Sequence, residues 1–215
     1  MYLNITVKVI SGELTTHLGT GSIGIDLGLR AAATTSNGEV LIGRRYHEYE
    51  ARLAKSQRAN TKKKTRAIHA KIKNKRRDDL HKFSRQIVNQ NSAVFVGDIK
   101  SKDLTKTKMA KSTYDAGWYS LKQMLKYKCA HAGIYYQEVN EAYTTQTCSS
   151  CGEIPTTSPK GRAGLRIREW TCSSCGTTHD RDVNAAKNIL AAGHCRLAGG
   201  TSKRKRRGDV KPCLP

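Results

Sequence analysis

Residues 22–43 read SIGIDLGLRAAATTSNGEVLIG, and the reading of this stretch decides the fold. Three short runs, SIGIDLGL, AAATTS and EVLIG, are divided by turn chemistry. Asn37-Gly38 lies between the last two, and this dipeptide closes hairpins readily because both residues tolerate positive φ. The first run predicts a buried strand with one charged residue, Asp26, in its middle. A lone carboxylate inside an apolar strand is costly to bury unless a counter-charge such as a metal ion meets it. The competing reading makes Asp26 a strand-end turn or cap residue.

Downstream, Arg44 to about Asn89 is strongly basic and free of Gly and Pro, and it reads as two helices broken near Asn60-Thr61. AVFVGDI at 93–99 suits a buried strand. Tyr114, Trp118, Leu121, Leu125 and Cys129 recur at helical spacing and predict an amphipathic helix ending at Gly133, with a strand in IYYQEVN at 134–140. A short last helix is expected from about Val183 to Ala192, and the Lys/Arg-rich tail from Gly199 reads as disordered. Upstream, residues 3–10 alternate like a strand and hint at a partner element before them. This order suits an RNase H-like α/β domain, though it also suits other mixed-sheet folds.

The 215 residues carry 39 Lys and Arg against 17 Asp and Glu, a formal net charge of +22, so the natural partner is a polyanion. Lys62, Lys63, Lys64, Arg66, Lys71, Lys73, Lys75, Arg76 and Arg77 crowd one helical stretch with only Asp78 and Asp79 beside them. A solvated charged helix balances its signs, and this one does not, which points to nucleic-acid backbone contact. Lys203 to Arg207 either adds nonspecific affinity or solubilises the tail. No run of 18 apolar residues exists, so no membrane partner is expected, and no export signal opens the chain, which predicts a cytoplasmic protein.

Cys148-Ser-Ser-Cys151 and Cys172-Ser-Ser-Cys175 are each followed by glycine, Gly152 and Gly176. Two such knuckles let four thiolates converge on one structural zinc ion, Zn2+, with the glycines relieving the tight turns. Cys129, Cys195 and Cys213 lack this pairing and read as bystanders. In HDRDVNAA, 179–186, Asp180 reads as the cap of the last helix.

GIDLGLRAAATTSNGEV resembles the first RuvC motif of the TnpB family, EAYTTQTCSSCG with REWTCSSCG resembles its zinc ribbon, and HDRDVNAAKNIL resembles its third RuvC motif. The ordered match runs from about residue 22 to residue 192. The resemblance implies a transposon-encoded, RNA-guided, Mg2+-dependent DNA endonuclease. Its partners would be a guide RNA from the transposon end and target DNA, and Asp26 and Asp182 would be two of three acids holding a pair of Mg2+ ions. Family members usually place Glu-Asp after the central strand, where this chain has Gly97-Asp98. Adjacent strand residues point to opposite faces, so Asp98 replaces the missing Glu only through a bulge. Glycine leaves room for a carboxylate from a neighbouring strand, and of Glu138 and Glu141 the expected third acid is Glu141.

The resemblance thus implies an RNase H-like (RuvC-like) mixed sheet with a basic helical insertion and an inserted zinc ribbon. The expected parts are an upstream β remnant at 1–21, RuvC-like parts at 22–43, 91–144 and 179–195, a basic helical insertion at 44–90, a zinc ribbon at 145–178 and a basic tail at 196–215. Full-length members are roughly twice as long, which predicts a short form, acting alone, as a homo-oligomer or with a separate N-terminal part. Two alternatives are a nuclease-inactive RNA-guided DNA-binding protein, favoured by Gly97, and a nucleic-acid-binding fragment of a larger nuclease.

Overall fold

A computed structural model describes residues 19–43, 47–99, 117–164 and 166–198. The expected strand at 3–10, Tyr114 and the tail from Gly199 lie outside them.

The opening stretch forms β1 (Gly21–Asp26), β2 (Ala31–Thr35) and β3 (Val40–Ile42), with Gly38 at φ 87° in the turn between the last two. The basic stretch forms α1 (His47–Arg58) and α2 (Lys62–Gln90), and Asn60, at φ 49°, breaks the chain between them as expected. β4 (Asn91–Gly97), α3 (Trp118–Ala132) and β5 (Tyr135–Val139) make one strand–helix–strand crossover. Gly133 takes the left-handed conformation that ends α3. The ribbon adds α4 (Gly161–Gly164), β6 (Glu169–Thr171) and β7 (Thr178–Asp180), and the chain then enters α5 (Arg181–Leu197).

The five-stranded sheet has the order β3-β2-β1-β4-β5, with β1, β4 and β5 parallel and β2 and β3 antiparallel to their neighbours. Alternation along the strands sorts its two faces. Ile23, Ile25, Val94 and Val96 pack against Leu80, Phe83, Ile87, Leu121 and Leu125 of α2 and α3. Ala93, Phe95 and Val139 pack on the other face against Ile189 of α5.

Two glycines set how closely α5 lies on the sheet. A Cβ at Gly24 would come within 2.1 Å of the Ala186 carbonyl oxygen, and one at Gly193 within 2.2 Å of the Phe95 ring. The helix therefore rests directly on β1 and β4, and Asp182 is carried to the end of β1. From Ala186 back to Asp182 is about 6 Å of helix, and from Gly24 on to Asp26 is about 6.6 Å of strand, so the two carboxylates draw level.

Helix α5 begins earlier and ends later than the expected 183–192. Asp180 caps it, its carboxylate accepting the Asp182 and Val183 N–H groups at 3.0 and 2.9 Å. Cys195, read as a bystander, is disulfide-bonded. Cys129 is a buried free thiol of α3, pushed up to about 12 by burial.

Candidate active site and metal ribbon

Asp26 ends β1, and its parity with Gly24 turns it toward α5. Burial first, then the Asp182 and Glu141 carboxylates, raise its pKa well above the ordinary value, while Arg181 and the Leu27 N–H work in the other direction. A half-buried acid with two acidic neighbours calls for a cation. Asp182 lies in the first turn of α5 and is held by two arginines, with Arg168 Nη1 at 3.0 Å from Oδ2 and Arg181 Nη2 at 3.0 Å from Oδ1.

Glu141, the expected third acid, lies past the end of β5. The Gly97 backbone carries no side chain on the α5 face, and a Cβ there would stand 3.1 Å from Glu141 Oε2 and 3.7 Å from Glu141 Cβ. Glu141 thus occupies the space over Gly97. Burial raises its pKa, Asp98 adds to the rise, and Lys122 opposes it. The other two candidates face elsewhere. Glu138 pairs in the ladder with Val96 on the α2 and α3 face, where Lys122 Nζ lies 2.7 Å from its Oε2 and 3.7 Å from Asp98 Oδ1. The Tyr136 hydroxyl also donates to Glu138 at 3.2 Å. Lys122 therefore pairs with both Asp98 and Glu138, and Asp98 and Lys122 also act on Glu141.

The four cysteines meet. Cys148, Cys151, Cys172 and Cys175 place their sulfurs within 4.8 Å of one another, with 3.7 Å between Cys148 and Cys175 and 3.8 Å between Cys151 and Cys172. A tetrahedron with Zn–S bonds of about 2.3 Å has edges of about 3.8 Å. The donors and their spacing fit a zinc ion. The two knuckles repeat one geometry: Gly152 and Gly176 have φ 77° and 72°, and each donates its N–H at 2.8 Å to the carbonyl of the knuckle's first cysteine. His179 Nε2 lies 3.0 Å from Cys148 Sγ, and its ring packs on Trp170. Among the described residues no other three or more Cys, His, Asp or Glu ligand atoms are drawn this close; the three carboxylates form a looser group.

Asn184 and Asn188, one turn apart on α5, key the ribbon to the sheet. Their amide Nδ2 atoms each donate to the Thr147 carbonyl at 2.7 Å and to the Thr144 carbonyl, while Asn184 Oδ1 accepts the Ser149 N–H at 2.9 Å. The segment between Glu141 and the first knuckle is thereby fixed to the helix that carries Asp182. Sequence reading passed over these asparagines, although their i, i+4 spacing beside Asp182 was the available signal.

All nine basic candidates fall on α2. Lys62, Arg66, Lys73 and Arg77 share one side of it by helical periodicity and are exposed, as are Lys63, Lys64 and Lys71, whereas Lys75 and Arg76 are half-buried. Lys71 and Lys75 sit over the Tyr49 ring of α1 at 5.7 and 5.5 Å from its centre, so these two also tie the helical pair together. Among the described residues no helix is long and apolar enough to cross a membrane.

The mixed sheet with acids at one end and a four-cysteine ribbon before the last helix define a RuvC-like nuclease fold carrying a metal ribbon. Residues 4–108 match the family model OrfB_IS605, "Probable transposase", and residues 118–189 match the Cas12f1-like TNB domain. A Streptomyces pristinaespiralis protein named "Putative RNA-guided DNA endonuclease" is 39% identical over 203 residues, covering 87% of this chain and 49% of that protein. InsQ of Escherichia coli K12, also named as an RNA-guided DNA endonuclease, is 30% identical over 213 residues, covering 86% and 52%. A cryo-EM structure of a Cas12f1–sgRNA–target DNA complex superposes with a TM-score of 0.59 at 18% identity, covering 78% of this chain and 49% of that one. The chain belongs to the TnpB family. It spans about half the length of the curated relatives it matches.

Proposed function

We propose that this chain carries the nuclease centre of a TnpB-type, RNA-guided DNA endonuclease that hydrolyses phosphodiesters with Mg2+. What supports the reading is that Asp26 at the end of β1 has the Asp182 and Glu141 carboxylates among its charged neighbours, and that Glu141, past the end of β5, fills the space over Gly97. Burial and acid neighbours together leave Asp26 under-compensated, and its oxygen donors suit a hard divalent cation. Bound there, two Mg2+ ions would activate a water and neutralise the leaving oxygen.

The protein's own part is to hold the three acids on rigid backbone and to set their ionisation. Gly24 and Gly193 seat α5 on the sheet, Asp180 fixes the first turn that bears Asp182, and Asn184 with Asn188 anchors the segment leading from Glu141. Arg168 and Arg181 balance the charge of Asp182. The four cysteines hold a structural zinc ion, and the exposed cations of α2 hold guide RNA or a heteroduplex through its phosphates. The ribbon at 145–178 is inserted between the RuvC-like parts at 91–144 and 179–195.

The test is cleavage of target DNA by protein purified with RNA from the transposon end. Cleavage should require both RNA and Mg2+ and should vanish in Asp26→Ala. RNA-dependent binding without cleavage by the parent would replace this reading with an inactive DNA-binding protein. Binding should also weaken steeply with salt, log K falling linearly against log salt, as titrations at several salt concentrations would record. A flat response would remove α2 from the interface.

A further inference from the structure

A groove of about 620 Å³ opens between the C-terminal half of α2 and the end of α3, away from the carboxylates. It lies at the end of the sheet where β4 begins, whereas Asp26 and Gly97 end their strands. The seven residues of β4 separate the two ends by on the order of 20 Å. Its walls carry His81, Lys82, Arg85 and Lys128 and no acid.

Lys128 is the unusual member. It is only 3% exposed, and its ammonium donates to two neutral acceptors, the His81 carbonyl at 2.8 Å and Ser84 Oγ at 2.7 Å. A buried ammonium without a carboxylate is costly, and burial together with Arg85 lowers its pKa. His81 is lowered as well, by burial first and then by Lys128 and Arg77, with Asp78 opposing. Among the described residues Lys82 is the one of these cations paired with an acid, Asp78 at 2.6 Å on the same helix. The nearby Glu39 accepts from Gln86 on the groove wall at 3.1 Å.

Tyr127 stands beside these cations, 41% exposed, with the edge-on ring of His131 against it. Gln86, Asn89 and Gln90 add amide donors and acceptors along the wall. Unpaired cations take phosphate, an exposed aromatic ring takes a base or sugar face, and amides take base edges.

We infer that this groove binds a single strand of nucleic acid, its phosphates on Arg85 and Lys128 and a base or ribose against Tyr127, at a place separate from the nuclease centre. The inference rests on the nucleic-acid reading above. A strand seated here lies on the face of the sheet opposite α5, so it is held and not cut at this point.

The experiment is fluorescence anisotropy with a short labelled single-stranded oligonucleotide, using the full chain and its Arg85→Glu, Tyr127→Ala and Lys73→Glu variants, each with its melting temperature recorded. Arg85 and Tyr127 are exposed, so both variants should fold. Arg85→Glu should weaken binding at least about tenfold and reduce the salt slope by about one to two. Tyr127→Ala should weaken it about fivefold with the slope unchanged. Both variants binding like the parent, while Lys73→Glu weakens binding, would overturn the groove and leave the nucleic-acid reading standing. No oligonucleotide binding by the parent would overturn both. Displacement by inorganic phosphate with no effect of Tyr127→Ala would make the groove a free-phosphate site. Poly-glutamate binding as strongly as the oligonucleotide would make it an acidic-protein site. Either result overturns the inference.

Discussion

Asp26→Asn should abolish cleavage while making the metal-free protein more stable. The carboxyl of Asp26 sits in a place that disfavours its charge, through burial first and then through Asp182 and Glu141. A group whose folded pKa is raised stabilises the fold below its unfolded value, and that contribution is lost as pH rises through the folded value. Glu141 has the same sign. Without Mg2+, then, the parent should lose stability as pH rises from about 4 toward neutrality, and Asp26→Asn should lose less of it. At neutral pH the variant should melt a few degrees higher, since about 1 kcal/mol moves a domain of this size by roughly 2–4 °C. Saturating Mg2+ should raise the melting temperature of the parent and leave the variant nearly unmoved, because only the parent binds the ion strongly. Melting curves across pH, with and without Mg2+, check this directly. Equal melting of the two proteins at every pH would show that Asp26 is not held under charge strain.

The second large effect concerns the ribbon. Structural zinc sites contribute about 10–16 kcal/mol of apparent binding free energy in small peptides, far more than the short strands β6 and β7 supply by themselves. One zinc per chain is expected by elemental analysis, and Cys148→Ser should lose it. Amide protons from residue 148 to residue 180 should then exchange freely, while those of β1, β4, α2 and α3 stay protected, because Ile25, Val94, Leu121 and their neighbours form a core without the ribbon. Cleavage should fall too, since Asn184 and Asn188 fix the segment after Glu141 only where the first knuckle holds its shape. Persistent protection of the ribbon in metal-free protein would contradict this account.

Much of the fold was legible because its signals are local. Asn37-Gly38 marked the hairpin, Asn60-Thr61 the helix break, Gly133 the end of α3, and the CSSCG repeats the ribbon. The β6–β7 pairing was not legible, as Glu169–Thr171 and Thr178–Asp180 are three residues each and too short to alternate visibly. The length of α5 escaped because Asp180 had been placed as a cap without extending the helix back to it. In the site, Gly97 announced a missing side chain, whose space Glu141 fills. What no local pattern could give was Lys122 on α3 holding both Asp98 and Glu138, or Arg168 reaching Asp182 from the ribbon. These are contacts between elements far apart in the chain. The groove over Lys128 escaped for the same reason, since its basic residues come from α2 and α3 and only meet when the helices pack.

In the proposed nuclease centre the third acid has moved from the central strand to Glu141. The most direct measurement is Mg2+-dependent, RNA-guided cleavage by Glu141→Gln beside the parent, with Mn2+ binding measured on the same preparations. The variant should cleave at least about a hundredfold more slowly and bind Mn2+ more weakly, at or beyond the upper range of losses from supporting residues around a metal. Parent-level cleavage with unchanged Mn2+ binding would contradict it.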